Sequence, residues 1–507
     1  MATCTLANLV QELREFMTVS IRSAVALSVI GRYLTLSCQF VSTMILARLL
    51  TPEDIGVYSA GFSIVALAHL FRDFGLNQYI IQEKNLDPQK IRVTFTLSLI
   101  IAWFLSGLLY LLATPAATFF NESGVELLVH ILAFNFLIIP FGTITLALLR
   151  KQLKFHITAS ISFVATIIGI VVAVSTAYQG ARYHSLAYGA ITETSTLVIL
   201  SLLFRPNEST MMPSLQGAKK IFRFGSIVGI GNILTQAATS VTDAMIARIL
   251  GLTALGFYSR AYGTFSLFDN VFVSSIRPTI LPLFAQNNHD TVKLADNYLK
   301  AVSYSLIFAW PFFTFLFLFT DEVIRTLYGT QWGEAVPLVK ILCGAGLVLP
   351  LILFTENLFV ANEQPEITLR IQIITNIAKI ALVVTGCFIS VKAVCIALVV
   401  SFFIKFIVVS RFVRIEFGIL ISDLIPLAKP ALIPLATTIL PTVIADQLMR
   451  GLVENHITYF AILVVCSFLG WLFGLKASRH AFYDELKPFF NRKGVAKQTD
   501  TPKANEN

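Results

Sequence analysis

Residues 30–59 read IGRYLTLSCQFVSTMILARLLTPEDIGVYS, and residues 230–259 read IGNILTQAATSVTDAMIARILGLTALGFYS. Laid over one another without a gap, the two stretches agree at eleven of thirty positions. These are Ile30/Ile230, Gly31/Gly231, Leu34/Leu234, Thr35/Thr235, Val41/Val241, Ala47/Ala247, Arg48/Arg248, Leu50/Leu250, Gly56/Gly256, Tyr58/Tyr258 and Ser59/Ser259. Shared apolarity does not by itself align glycine, arginine and tyrosine. Each copy is the end of one apolar helix, a tight turn and the start of the next, so the chain contains an internal repeat at an offset of 200 residues.

Outward from the repeat, apolar runs of about 20 to 25 residues follow one another, each long enough to cross a hydrocarbon core of ~30 Å as a helix. Candidate spans lie at 24–47, 55–80, 93–114, 125–149, 155–177, 185–204, 224–250, 256–286, 297–320, 335–360, 367–388, 393–412, 427–446 and 456–475. The second copy begins six spans after the first, an even number, so the repeat is parallel and its axis runs along the membrane normal. The expected fold is an all-α integral membrane protein of about fourteen transmembrane helices. Two parallel six-helix lobes surround a central cavity, with two extra C-terminal helices. The expected segments are a cytoplasmic N-terminal stretch 1–23, an N-lobe 24–204, a cytoplasmic linker 205–223, a C-lobe 224–412, helices thirteen and fourteen over 413–475, and a cytoplasmic, partly disordered tail 476–507. A short turn near Val391–Lys392 divides the eleventh and twelfth spans, and Pro430, Pro434 and Pro441 are expected to kink the thirteenth.

Composition agrees. Hydrophobic residues make up 56% of the chain and charged residues 13%, too few to build a water-soluble surface when soluble domains carry roughly 25%. The net charge of +9 is explained by loops. One alternating set of loops and ends holds twenty-five Lys and Arg, the other six, which puts both termini in the cytoplasm. No basic stripe interleaved with aromatics occurs, so nucleic acid is excluded as a partner. Cys4, Cys38, Cys343, Cys387, Cys395 and Cys466 form no CxxC pair and read as small core residues. The start of the chain lacks the pattern of a removable signal peptide. No phosphate-binding loop, metalloprotease motif, nucleophile elbow or Cys/His cluster is present. No cofactor or metal is expected, and the function class is transport rather than catalysis.

Charges within the spans locate candidate sites, because a charge at mid-membrane costs about 2.5–3.5 kcal/mol on insertion scales. Arg32, Arg72 and Arg277 fall about 6–10 Å to the cytoplasmic side of the midplane at ~1.5 Å per residue. At one level they form a cationic receptor for phosphate. Each has a plainer reading: Arg277 snorkels beside Pro278, and Arg72 makes a structural ion pair. Arg260 lies about one turn inside the outer end, where it either gates or binds. Asp73, Glu193, Asp243, Asp269 and Glu356 are the acidic candidates, as proton or cation sites or as fixed counter-ions. His69, one turn before Arg72, reads as a core histidine or a protonation switch. Lys340 and Lys405 read as snorkelling lysines, and Lys379 as a secondary candidate.

The string ILARLLTPEDIGVYSAG (Ile45 to Gly61) resembles the signature of the polysaccharide-transporter group, the Wzx-type lipid-linked oligosaccharide flippases of the MOP exporter superfamily. LGLTALGFYSRAYGTFSLFDNVFVSSIRPTILPLFAQ (Leu250 to Gln286) is more similar still, and the likeness spans about residues 20–480. The resemblance implies transfer of undecaprenyl-pyrophosphate-linked repeat units across the bacterial inner membrane by alternating access. It implies a cationic cavity, to which Arg32, Arg72, Arg260 and Arg277 suit by helix and type. It also implies a tail groove at the last two helices. The expected partners are the lipid-linked oligosaccharide, membrane lipid, and polymerase and chain-length proteins of the pathway. The alternatives are an ion-coupled multidrug exporter of the same superfamily and a membrane-embedded polymerase. Against the former, residues 24–47 contain no carboxylate and a single charge, Arg32. Against the latter, the expected outer loops are short.

Overall fold

The structure is a computed structural model of the chain. It describes residues 21–73, 75–206, 212–274, 290–453 and 455–478, together with 276, 280, 283, 284, 480, 482 and 483; side chains are described throughout these except at 21–29, 73, 220 and 222–233. Among the described residues the regular elements are all helical.

The helices are α1 (Ile21–Leu49), α2 (Pro52–Asp73), α3 (Leu76–Gln82), α4 (Pro88–Phe120), α5 (Gly124–Ile138), α6 (Pro140–Lys151), α7 (Phe155–Tyr178), α8 (His184–Leu203), α9 (Ala218–Leu250) and α10 (Leu252–Phe265). After a π turn at Asp269–Val273 come α11 (Thr291–Leu318), α12 (Thr320–Tyr328), α13 (Ala335–Cys343), α14 (Leu349–Ile352), α15 (Thr355–Ala361), α16 (Pro365–Cys387), α17 (Val391–Phe417), α18 (Ile421–Met449) and α19 (His456–Ala477). Among the described residues nine helices are long and apolar enough to cross a membrane, and up to eleven spans result if each of two bent pairs counts as one. The remaining expected spans, 24–47, 224–250 and 256–286, fall on α1, on α9 and on α10 with the residues after it, whose side chains are described only in part. The turn dividing α16 from α17 lies at 388–390, just before the expected place.

Two compact units result. The first holds the described residues up to Arg260, with Leu327–Glu334 and Lys379–Val394. Both copies of the repeat belong to it. Its α1–α2 turn is self-capped: Thr51 Oγ1 donates to Asp54 Oδ2 at 2.7 Å and accepts from the Asp54 N–H at 3.2 Å. This exchange satisfies amides at the start of α2 that have no partner inside the helix. Arg182 Nε donates to the other Asp54 oxygen at 2.9 Å. α4 starts the same way, with the Asp87 carboxylate accepting from the Lys90 N–H at 2.7 Å. The expected span 125–149 is bent by 51° between α5 and α6, where Pro140 has no N–H to continue the ladder. At the end of α6, Lys151 Nζ donates to the carbonyls of Ile80 and Glu83 and so ties α6 to α3.

The second unit holds Ala261–Thr326, Ala335–Ala378 and the described residues from Cys395 onward. Its α18 runs through Pro426, Pro430, Pro434 and Pro441 as one helical element. α19 lies hard against it. A Cβ added at Gly470 would meet the Thr437 carbonyl oxygen at 2.1 Å, and one at Gly474 would meet the Pro434 Cα at 2.6 Å. Glycines four apart make this close helix contact, as small residues do within bilayers. Trp471 Nε1 donates to the Ile307 carbonyl at 2.9 Å and fastens α19 to α11.

Large apolar side chains remain uncovered on the helices, including Leu111 (74% exposed), Phe388 (73%) and Phe473 (66%). Lipid, not water, suits such a surface, and helices keep their backbone polar groups satisfied within it.

Candidate functional site

At the end of the first unit that carries the turns 50–52 and 250–252, the two repeat copies lie against each other. Ser59 and Ser259 are joined Oγ to Oγ at 3.1 Å. A Cβ on Gly56 would sit 1.8 Å from the Leu252 carbonyl oxygen, and a Cβ on Gly256 would sit 1.8 Å from that of Pro52. Gly56 corresponds to Gly256 and Pro52 to Leu252 under the repeat offset. The contact is therefore self-complementary: each helix presents to the other what it receives, as across a two-fold axis. Only residues without a side chain allow α2 and α10 to come this close.

Residues 327–334 close over the end of α1. Gly329, at φ +99°, makes the turn that starts this segment. Gln331 Nε2 donates to the carbonyls of Ala47 and Leu50, and Trp332 Nε1 donates to Ala47 at 2.8 Å. These are among the last carbonyls of α1, which have no partner within the helix. The Trp332 side chain is fully buried and meets the Phe257 ring edge-on at 6.0 Å. Arg260 is held here too, its guanidinium carbon 5.5 Å from the Trp332 ring centre and 5.6 Å from that of Tyr328. Cation–π attraction is strongest where water is excluded.

A hollow of about 350 Å³ lies between α1, the end of α6 and the start of α7. It is lined by Gly31, Arg32, Thr35, Leu36, Arg150, Phe155, Thr158, Ala159 and Ser162. Leu153, at φ +57°, reverses the chain after α6 so that α7 returns beside α1. A Cβ on Gly31 would touch that of Ala159 at 3.4 Å, so the two helices are in contact beside the hollow. Arg150 shares the space with Arg32.

The other candidates are dispersed. Arg72 Nη1 donates to His69 Nδ1 at 2.9 Å, one turn back on α2, and its guanidinium carbon lies 5.8 Å from the Phe136 ring centre. His69 is a packed core residue, 4.7 Å from Phe136 ring to ring. Arg72 does not line the hollow that contains Arg32. Arg277 lies outside the described residues, as does the Asp73 side chain. Glu193 accepts from Thr166 Oγ1 at 2.7 Å across the α7–α8 packing. Asp243 is half-buried on α9; the Lys379 ammonium reaches Thr239, one turn before it, at 3.5 Å. Asp269 is exposed on the π turn. Glu356 pairs with Lys405 at 3.4 Å, the counter-ion role rather than a bare charge. Outside the spans, Lys90 at 3.0 Å holds the Glu83 carboxyl below the usual carboxylate range. No cluster of metal-ligating side chains occurs among the described residues.

Sequence reasoning left Arg150 in a loop and overlooked Tyr328, Gln331 and Trp332. Arg150 follows an apolar run directly, which makes it look like a helix-end charge. Trp332 was findable: GTQWG places a tryptophan in an otherwise polar turn.

The family described as polysaccharide biosynthesis protein matches residues 45–337. The chain is 24% identical over 364 residues to the lipopolysaccharide biosynthesis protein WzxC of Escherichia coli K12, covering 71% of this chain and 73% of that one. It is 27% identical over 332 residues to the succinoglycan biosynthesis transport protein ExoT of Rhizobium meliloti, covering 64% and 66%. Its fold is similar to that of the lipid II flippase MurJ in an inward closed conformation, with a TM-score of 0.69 at 13% identity over 93% of this chain and 99% of the other. A multidrug resistance MATE family transporter of the MOP superfamily, in an inward-facing conformation, follows with 0.63 at 15% identity over 76% and 98%. The chain, a multi-pass membrane protein, belongs to the polysaccharide biosynthesis protein family.

Proposed function

We propose that this protein is a flippase that carries an undecaprenyl-pyrophosphate-linked oligosaccharide repeat unit from the cytoplasmic to the outer leaflet of the bacterial inner membrane. The carrying observation is the two-fold contact of the repeat copies through Gly56, Gly256, Ser59 and Ser259. Two lobes that alternate their openings need a seam at one end that closes backbone to backbone and parts without breaking a fold. A contact between corresponding residues of a repeat is such a seam. In this reading the chain has fourteen spans, an N-lobe 24–204, a C-lobe 224–412 and cytoplasmic termini, and the seam faces outward. Arg32, Arg72 and Arg277 engage the phosphates from the cytoplasmic side, whereas Arg260 serves the seam through Tyr328 and Trp332. The names of the relatives, which concern lipopolysaccharide and succinoglycan, support the cargo class. Drug export is the weaker reading, because residues 24–47 carry no carboxylate to attract a cation.

The test is leaflet accessibility. In spheroplasts with a labelled lipid-linked repeat unit, an impermeant glycosidase should reach the sugar when the protein is present. In its absence the unit should stay protected and polymer output should stop. Equal accessibility and undiminished polymer in the deletion strain refute the assignment.

A further inference from the structure

We propose that the two bent helix pairs are matched hinges, each latched at its bend by the indole of a tryptophan on another helix, and that transport works by release and remaking of these latches. The part played in transport rests on the flippase reading; the latches rest on geometry alone.

The pairs are Gly124–Ile138 with Pro140–Lys151, bent by 51°, and Ala335–Leu347 with Leu349–Ala361, bent by 48°. Both bends carry the same short pattern, Leu137-Ile138-Ile139-Pro140 in the first and Leu347-Val348-Leu349-Pro350 in the second. Proline brings no N–H to the helix ladder, and the last carbonyls of a helix have no partner inside it. In each pair an indole supplies a donor at the same point. Trp103 Nε1 on α4 donates to the Leu137 carbonyl at 3.2 Å, and Trp310 Nε1 on α11 donates to the Leu347 carbonyl at 3.4 Å. The donors match in sequence too, as Ala102-Trp103 and Ala309-Trp310. The first device lies wholly within the first unit and the second wholly within the second. The fold has built the same latch twice.

Each break falls near the middle of its pair, leaving arms of 15 and 12 residues in the first. The shorter arm is about 18 Å long, so a change of about 20° at the break moves its far end by about 6 Å. In a straight helix the amide four residues on serves each carbonyl, and an indole adds little. At the second bend that amide, the Leu351 N–H, donates to Val348 instead. The bilayer core offers no water to replace an indole, so each bond favours the bent form while it lasts. Trp103 is 47% exposed and Trp310 partly exposed, so either ring can swing away without opening a core, unlike the fully buried Trp332. The helices stay together beside each latch. Ser106 Oγ donates to the Ala133 carbonyl at 2.9 Å, one turn from the first, and a Cβ on Gly346 would collide with the Phe313 ring beside the second. The far arms pass motion on. Lys151 at the end of α6 holds the Ile80 and Glu83 carbonyls, and Gln364, just beyond α15, donates to Glu416 on α17 at 2.8 Å.

The experiment uses the full-length protein, otherwise free of cysteine, in phosphatidylcholine nanodiscs. Spin labels at Leu127→Cys and Leu153→Cys span the first hinge, and labels at Lys340→Cys and Val360→Cys span the second; electron paramagnetic resonance reads the distances. Trp103→Phe and Trp310→Phe keep an aromatic ring and remove the donor. Each should raise a population about 2–4 Å longer than the bent one, the lengthening that straightening gives arms of this size. The rise should be about threefold to tenfold, the worth of one hydrogen bond, and larger for Trp103, whose bond is shorter. Pro140→Ala restores a ladder amide and should lengthen the first hinge with Trp103 in place. In that background Trp103→Phe should add nothing, because latch and break act as one unit. Distances equal to the parent in both phenylalanine variants overturn the latches, as does a full further effect of Trp103→Phe in the Pro140→Ala background. The two hinges are independent copies, so one variant that fails to reach the membrane leaves the other to decide. Distances are read without transport. Lengthened hinges with undiminished polymer export overturn their part in transport and leave the flippase reading standing; lengthened hinges in a protein whose parent fails the leaflet test support the latches and count against the flippase reading alone.

Discussion

Alanine at Gly256 is expected to force the seam between α2 and α10 apart. The added Cβ would lie 1.8 Å from the Pro52 carbonyl oxygen, where carbon and carbonyl oxygen normally approach no closer than about 3.3 Å. The helices must then separate by about 1.5 Å, or the backbone must distort. Overpacking of this kind costs about 1–3 kcal/mol, and ~1.4 kcal/mol is a tenfold change in an equilibrium. The cost falls on the closed seam alone, so the population of seam-closed protein should drop roughly tenfold to a hundredfold relative to seam-open protein. Gly56→Ala should act equally through Leu252, because its clash is the same 1.8 Å. The double variant should cost less than the two singles added, since one separation of the helices relieves both clashes and such neighbours are not additive. The assay is disulfide formation between Ser59→Cys and Ser259→Cys in a chain otherwise free of cysteine. Their oxygens are 3.1 Å apart in the parent, so oxidation should cross-link the closed seam and halt polymer export until a reductant is added. Gly256→Ala should lower the cross-linking yield. Cross-linking as efficient as in the parent, or strictly additive effects in the double variant, refutes the two-fold seam.

Replacing Arg32 and Arg72 together by Ala should abolish surface polysaccharide without loss of the protein from the membrane, as checked by immunoblot of membrane fractions beside polymer quantification. Trp332→Ala should cost about 3–5 kcal/mol, lowering the melting temperature in detergent, because it empties a fully buried position and removes one of the two side-chain donors to the Ala47 carbonyl. Gly474→Leu should loosen the α18–α19 hairpin, where the added Cβ would lie 2.6 Å from the Pro434 Cα; protease cleavage of the 450–455 connection should become faster.

The helical membrane class was legible because apolar runs and sparse charge are properties of composition, and a bilayer-crossing helix needs little besides length. The repeat was legible too, and its glycines and serines proved to be the residues that touch. Their pairing was not, since an alignment shows that Gly56 and Gly256 correspond but not that each meets the other's helix. Charges were harder. The depth argument placed Arg32 and Arg72 at one level, yet depth is only one coordinate of three. Rotation about the helix axis decides what a side chain faces: Arg72 turns toward His69 and Phe136, Arg32 toward α6 and α7.

The partners missed share one cause. Trp332 and Arg150 act at helix ends, where the chain reverses and a residue's neighbours come from distant sequence: Ala47 for the first, Arg32 for the second. Helix periodicity carries no information there. At the end of α1 the last carbonyls have no partner within the helix. The seam end supplies its own answer, since the 327–334 segment brings donors to the carbonyls.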